Sequence, residues 1–291
     1  MSATVGALLC RAGQALRGAG VEQPRMEARR ILAAAMDATP EALLREPRAE
    51  VAPAAAARFA AMLDRRTARE PLAYILGHAG FWTLDLEVAP STLIPRADSE
   101  TLVEALLEKG LRPARVLDLG TGTGALLLAV LREFPDAWGV GVDAAPEAAA
   151  LAARNAARNG LGGRAAFLAG DWAQALDGRF DLVLSNPPYI PAADITGLMP
   201  EVARHEPRSA LDGGDDGLDA YRRICAALPR LLAPGGFALL ELGQGQDAAV
   251  SALAGGQGLH VAGLHADLSG ISRAILLDSG QKPIGDTRAS G

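Results

Sequence analysis

Val116-Leu117-Asp118-Leu119-Gly120-Thr121-Gly122-Thr123-Gly124 runs from an apolar strand pattern into a glycine-rich turn and on into a helical stretch. Glycines at such a junction let the backbone turn sharply and approach a ligand closely, the usual start of a nucleotide-binding strand–turn–helix unit. The strand covers Arg115–Leu119 and the helix 124–133.

Outward from this unit, helix and strand patterns alternate. Helix 98–109 comes before it. Strand Gly139–Val142, helix 146–158, strand Ala165–Leu168 and strand Asp181–Leu184 follow. Helix 216–231, strand Gly236–Leu242, a short helix and two further strands complete the series. This alternation implies an α/β fold with a mostly parallel seven-stranded sheet and helices on both faces. Residues 1–72 read instead as a small helical bundle. Leu8, Leu9, Ala12 and Leu16 recur at helical spacing, Pro24 and Pro40 sit at helix starts, and a fourth helix spans about Pro53 to Arg66. Residues 73–97 form a connector with a short hairpin around Phe81, Trp82, Leu84, Leu86 and Val88. The domain expectation is therefore 1–72, 73–97, 98–280 and a polar, frayed tail at 281–291.

The 291 residues are 49% hydrophobic and 21% charged, which excludes disorder for the bulk of the chain. No apolar run reaches the ~18 residues of a membrane span. The short apolar run Val5–Cys10 is followed by Arg11 and does not fit a signal peptide. Cys10 and Cys225 match no disulfide or metal spacing, so a reduced, cytoplasmic setting is expected. Net charge is −6, and residues 1–75 hold eleven arginines against eight carboxylates, leaving the remainder strongly acidic. A nucleic-acid binder normally presents a basic face, and none is evident here. His78, His205, His260 and His265 show no metal spacing.

Asp143 ends the strand after the glycine turn, a position suited to ribose hydroxyls. Gly120, Gly122 and Ala125 also satisfy the dinucleotide pattern G-x-G-x-x-G/A, so a nicotinamide enzyme remains open on this motif alone. Asp118 weighs against it, because a carboxylate beside the turn opposes a pyrophosphate and favours a sulfonium cofactor with an amino-acid end. Asp171-Trp172 follows the next strand. Trp172 either stacks on an adenine or is a half-buried core residue.

Ser185-Asn186-Pro187-Pro188-Tyr189 follows strand Asp181–Leu184. Two prolines fix the backbone and remove two N–H donors, leaving nearby carbonyls free to accept. The Asn186 side-chain oxygen adds a second acceptor. Two convergent acceptors suit an NH2 on a planar group, with Tyr189 lying against the plane. Accepting both hydrogens orients the nitrogen and restores electron density to it, so it can attack a methyl group without prior deprotonation.

Taken together, the helical N-terminal region, Tyr74-Ile75-Leu76-Gly77, Phe81-Trp82, Leu93-Ile94-Pro95-Arg96-Ala97-Asp98-Ser99-Glu100, the glycine turn, Asp171-Trp172, Asn186–Tyr189 and Glu206-Pro207 resemble the HemK/PrmC family of release-factor glutamine methyltransferases. The resemblance implies a Rossmann-like methyltransferase using S-adenosyl-L-methionine to methylate the glutamine of the Gly-Gly-Gln motif of class 1 peptide release factors. It implies cofactor contacts from Gly120, Thr121, Gly122, Thr123, Gly124, Asp143, Trp172 and Asn186. It implies that Asn186, Pro187, Pro188 and Tyr189 hold the glutamine amide, with Asn186, Pro187 and Tyr189 carrying the chemistry, and that residues 1–72 dock the factor. No metal, membrane or direct nucleic-acid partner is expected. Ala97 stands where the family usually has proline.

The same clamp could serve a ribosomal-protein glutamine, or an adenine or guanine amino group. Glu206 reads as a solvated loop carboxylate or as part of the substrate mouth, and the former is favoured. Asp212–Asp219 reads as a solvated turn and helix start. The internal Gly255-Gly256-Gln257-Gly258 reads as a helix end.

Overall fold

Prolines and threonines start the N-terminal helices. In a computed structural model that describes residues 4–267 and 269–281, Thr4 caps α1 (Val5–Gly18) by accepting from the Ala7 amide. Pro24 opens α2 (Pro24–Ala35). Thr39 caps α3 (Pro40–Arg45) through the Ala42 amide, and Pro53 opens α4 (Pro53–Thr67). Such caps satisfy amides that have no partner within the helix, and proline loses no hydrogen bond at the first position. A fifth helix, α5 (Leu72–Leu76), occupies part of the segment expected to be a connector, and Gly77 ends it in the left-handed conformation at φ +80°. Leu16, Ile31, Leu32, Leu43 and Phe59 form the core of this unit.

The chain divides into two compact units. One holds the residues up to Gly77 together with Met199–His205; the other holds His78–Leu198 and Glu206 onward. The short helix later named α9 (Pro200–His205) therefore belongs to the helical unit, although the sequence places it within the stretch 98–280. Its Glu201 pairs with Arg66 at 2.9 Å and Arg69 at 2.6 Å, and Arg66 also reaches Glu27.

The second unit opens with a hairpin of β1 (His78–Phe81) and β2 (Leu84–Glu87). Helix α6 (Glu100–Glu108) follows a 3-10 turn at Ala97–Ser99. Then come β3 (Arg115–Leu119), α7 (Ala125–Glu133), β4 (Trp138–Asp143), α8 (Pro146–Arg158), β5 (Ala165–Ala169) and β6 (Phe180–Ser185). After α9 the chain makes α10 (Asp219–Leu231), β7 (Leu232–Glu241), α11 (Asp247–Gly256), β8 (His260–Ala266) and β9 (Ser272–Asp278). The sheet order is β5-β4-β3-β6-β7-β9-β8, parallel except where β9 runs against β7 and β8.

Adjacent residues on the strands serve opposite faces. Val116, Leu182, Leu184 and Leu276 pack with α6 and α7, whereas Leu117, Leu119, Val183 and Leu277 pack with α10 and α11. This double burial is why the central strands read as nearly continuous apolar runs. From β3 the chain moves to β4 on one side and later returns to β6 on the other. That reversal opens a crevice at the carboxyl ends of β3 and β6.

Several expected boundaries move. Helix 216–231 begins at Asp219, because Asp216 accepts from the Leu218 amide and Gly217 turns at φ +76°. The strand expected at Gly236–Leu242 begins at Leu232, which pairs with Phe180 ahead of an irregularity in register. Glycines 255, 256 and 258 are exposed at the end of α11, as expected of a helix terminus. Of the expected tail, residues 282–291 lie outside those described.

Candidate functional site

The crevice is a cleft of about 390 Å3. Gly120, Thr121, Gly122, Thr123, Asp143, Trp172, Asn186 and Pro188 all line it. Three of the expected site residues do not. Gly124 stands just before α7, Pro187 is buried, and Tyr189 is half-buried with its hydroxyl turned toward Glu241.

Gly120 and Gly122 sit at φ +73° and +54°, a region L side chains rarely adopt. The Gly120 and Thr121 amides both donate to the Val142 carbonyl, which fixes the turn against the end of β4. The Asp143 carboxylate then accepts from Gly122 N at 2.8 Å and Ala145 N at 2.9 Å. Each carboxylate oxygen retains a further lone pair for a hydroxyl. Asn155, fully buried on α8, donates to the Thr123 and Glu87 carbonyls and accepts from the Glu87 amide, tying the turn to the hairpin.

Asp118, the carboxylate that the sequence sets beside the turn, is deeply buried in the cradle. It is 1% exposed, and only Oδ2 is hydrogen-bonded, by the Thr121 hydroxyl at 2.7 Å. Oδ1 is buried with no hydrogen-bond partner. Burial pushes its pKa up to about 7, against the pull of the Thr121 hydroxyl and the Leu127 amide, and Asp143 adds to the rise. A buried carboxylate with a vacant acceptor calls for a cationic or N–H donor.

Trp172 is half-buried against the core and at the same time reaches the cleft. It packs beside the α10 and α11 core and also lines the cleft, with its ring 3.6 Å from where a Gly120 side chain would begin. Asp171 on the same wall pairs with Arg223.

The proline loop is held from both ends. Ser185 Oγ donates to the Leu119 carbonyl, joining the ends of β6 and β3. Gln246 donates to the Tyr189 carbonyl. Asn186 Nδ2 donates to Ser99 Oγ at 3.0 Å, Ser99 Oγ donates to Glu241 Oε2, and the Tyr189 hydroxyl donates to Glu241 Oε1 at 3.3 Å. Burial pushes the Glu241 carboxyl up to about 7; the Ser99 and Tyr189 hydroxyls and Arg273 pull it down, and Asp98 raises it. Burial and the Glu241 charge keep Tyr189 a neutral phenol, with its pKa well above the usual tyrosine value.

Asn155 and Glu241 had no motif to announce them, and Ser99, although inside the segment Leu93–Glu100, had been given no role. Glu206, favoured by sequence as a solvated loop carboxylate, is instead buried, and this corrects that reading. It takes the Arg96 guanidinium and the Ile94 amide, fixing the segment that carries Arg96 to the cleft wall. The Asp212–Asp219 stretch is a turn braced by Arg208 and Arg222, with Asp212 and Asp219 also lining the cleft. Five aspartates and two arginines face the cavity, which favours a cationic ligand over a polyanion. Among the described residues no group of three metal-ligating side chains exists.

Residues 7–77 match the model of the PrmC N-terminal domain, and residues 96–209 match the Methyltransferase small domain. The release factor glutamine methyltransferase of Rhodospirillum rubrum is 49% identical over 274 residues, covering 94% of this chain and 84% of that protein. The protein of the same name from Agrobacterium fabrum is 42% identical, covering 94% and 96%. The chain belongs to the release factor glutamine methyltransferase family. A methyltransferase from Pyrococcus furiosus, 20% identical, superposes over 68% of this chain and 89% of its own with a TM-score of 0.52, which shows the shared Rossmann-like fold. Both family segments fall on structure described above. The first spans the five N-terminal helices, and the second runs from Arg96 through the glycine turn and the proline loop.

Proposed function

We propose that this enzyme transfers the methyl group of S-adenosylmethionine to the side-chain amide nitrogen of a release-factor glutamine. The acceptor is the glutamine of the Gly-Gly-Gln motif in class 1 factors, and the work is done in the cytoplasm, where those factors act. One observation carries the reading: Asn186 and Pro188 share one cavity with Asp118, the glycine turn and Asp143. A clamp for a planar amide and a cradle for a cationic nucleoside therefore meet in a single space.

The residues present fit S-adenosylmethionine. Asp118 Oδ1, orphaned and buried, suits the ammonium of its amino-acid end. Asp143 suits the ribose hydroxyls, and Trp172 offers a face to the adenine. The bound cofactor supplies a methyl group on a sulfonium, open to in-line attack, with a neutral thioether as leaving group.

This chain's part is positioning. With Nδ2 engaged by Ser99, Asn186 Oδ1 is free to accept one amide hydrogen. A carbonyl of the proline loop, rigid and short of competing N–H donors, accepts the other. The glutamine nitrogen is thereby oriented, and electron density returns to it from the carboxamide. Once the N–C bond has formed, the nitrogen carries the positive charge and releases one of its two hydrogens as a proton to solvent at the open cleft, because the amide and peptide oxygens that orient it are too weakly basic to keep it. Tyr189, a neutral phenol anchored to Glu241, stiffens the loop and is not a base.

The acidic cleft disfavours a nucleic-acid acceptor, whose phosphates would face five aspartates. The test is transfer of tritiated methyl to a purified release factor, followed by mass mapping. Label is expected on the Gly-Gly-Gln glutamine. Label that persists after its replacement overturns the assignment.

A further inference from the structure

We propose that Ser99 and Glu241 are positioning residues that set which way the Asn186 side-chain amide points. The proposal rests on Asn186 serving as an acceptor for the glutamine amide, and follows from counting protons.

A serine hydroxyl has one hydrogen and two lone pairs. An ionised Glu241, 1% exposed, can only accept, so the Ser99 hydrogen goes to Oε2. Ser99 Oγ then has only lone pairs left for Asn186, and the contact at 3.0 Å must be made by the NH2 group. The amide oxygen is turned to the other side of the group, where the reaction needs an acceptor. Reversing the amide would set its oxygen against a serine oxygen that has no hydrogen to offer, leaving both unsatisfied in a partly buried site.

The surroundings of Glu241 suit this task. Its side chain has no arginine or lysine within ion-pair distance among the described residues. Arg273 is occupied by Asp98 and Asp267. Its Oε1 takes the Tyr189 hydroxyl, and its main-chain oxygen takes the Tyr221 hydroxyl at 2.8 Å. A buried carboxylate held only by hydroxyls is costly, and such groups concentrate where orientation matters to chemistry. One carboxylate thus anchors both ends of the Asn186–Tyr189 tetrapeptide.

The experiment is a double-mutant cycle of Ser99→Ala and Asn186→Ala in the full-length enzyme, with release factor as acceptor, calorimetry with S-adenosylmethionine, and thermal melting. Ser99→Ala is expected to lower kcat at least about tenfold, with KM for the factor and the cofactor Kd within about twofold of wild type. In the Asn186→Ala background it should cost less than about twofold more, because its effect passes through Asn186. Glu241→Gln, whose NH2 can donate to Ser99 and so reverse the relay, should reproduce the loss in kcat. Independent, multiplying losses, or a Ser99→Ala enzyme with unchanged kcat, overturn the proposal. An Asn186→Ala enzyme at full rate overturns the clamp itself and the relay with it.

Discussion

Asp118→Asn should make the ligand-free enzyme more stable and leave it nearly unable to bind its cofactor. Raising a carboxyl from 3.8 to about 7 by burial corresponds to about 4 kcal/mol against the ionised form, at about 1.4 kcal/mol per tenfold change in proton affinity. Asparagine removes that charge at nearly constant volume and still accepts from Thr121 Oγ. Its NH2 inherits the partnerless position of Oδ1, and a buried unpaired donor costs about 1–3 kcal/mol. The net gain at pH 9 is about 2 kcal/mol, or about 4–8 °C in Tm for a unit of this size. The sign in pH follows from linkage. The folded pKa lies above the unfolded one, so wild type loses stability as pH rises from about 4 to about 7. The variant's advantage should grow over that window and level off above it. Losing the buried carboxylate proposed to hold the ammonium should weaken S-adenosylmethionine binding by about 2 kcal/mol or more, at least about thirtyfold. Thermal melts from pH 5 to 9 with calorimetry at pH 8 measure both. A Tm gain equal at pH 5 and 9 would refute buried charge as the cause, and a cofactor Kd moved less than threefold would refute the role of Asp118.

Three further outcomes are expected. Asn186→Ala should lower kcat by about 10^2-fold while changing the cofactor Kd little, whereas Asp143→Ala should raise that Kd about tenfold or more and disorder the turn through Gly122; steady-state kinetics with calorimetry separates the two. Glu241 faces Ser99, Tyr189, Asp98 and Arg273 and is protonated below about 7, so wild-type kcat at saturating cofactor should fall as pH drops through that value, and the limb should vanish in Ser99→Ala. In the helical unit, Arg69 and Arg66 hold the Glu201 carboxyl below its usual range against the opposing effect of burial; Glu201→Gln should destabilise that unit by about 2 kcal/mol by removing the carboxylate that Arg66 and Arg69 share, with Glu27 still paired to Arg66, with the deficit shrinking as pH falls below about 4.5, read by chemical denaturation.

The legible parts of this protein are the local ones. The β3–turn–α7 unit is written in nine consecutive residues, because a strand end, a left-handed turn and a helix start are each decided by neighbours in sequence. Helix 146–158 keeps its expected bounds for the same reason, with Pro146 opening it and an apolar stripe at helical spacing. The proline loop is legible as a tetrapeptide, and the structure places its residues differently. Asn186 and Pro188 face the cleft, while Pro187 and Tyr189 hold the loop from behind. What stayed hidden depends on contacts across long stretches of chain. Ser99 meets Glu241 from 142 residues away, and Asn155 meets Glu87 from 68. Ser99 lies in a segment that the sequence does single out, but nothing local pairs it with a glutamate at a strand end, and only the sheet order brings them together. Glu206 misled because an acid beside a proline reads as a loop residue; its burial is caused by Arg96, 110 positions earlier.

The buried and half-buried carboxylates sort by partner, and the sorting separates architecture from chemistry. Glu206 is met by Arg96, and Glu201 by Arg66 and Arg69. Each is matched by a guanidinium that answers its charge in place, as expected of groups that join segments. Asp118 and Glu241 have only hydroxyls or open space, and both are driven up to about 7. A chain selected for stability alone would replace such groups with amides or apolar side chains at little cost. Their positions supply the reason for keeping them. Asp118 lies on the cleft wall, where the proposed reaction binds a cation, and Glu241 stands behind the proline loop, where the same proposal has an amide aimed. The first charge would be neutralised by the ligand proposed to bind there. The second does not line the cleft, and in the proposed relay it dictates the hydrogen-bond direction of Ser99 and, through it, of Asn186. On the proposed mechanism the two unanswered charges therefore divide the reaction between them, one governing whether the methyl donor is bound and the other whether the acceptor nitrogen is aimed at it.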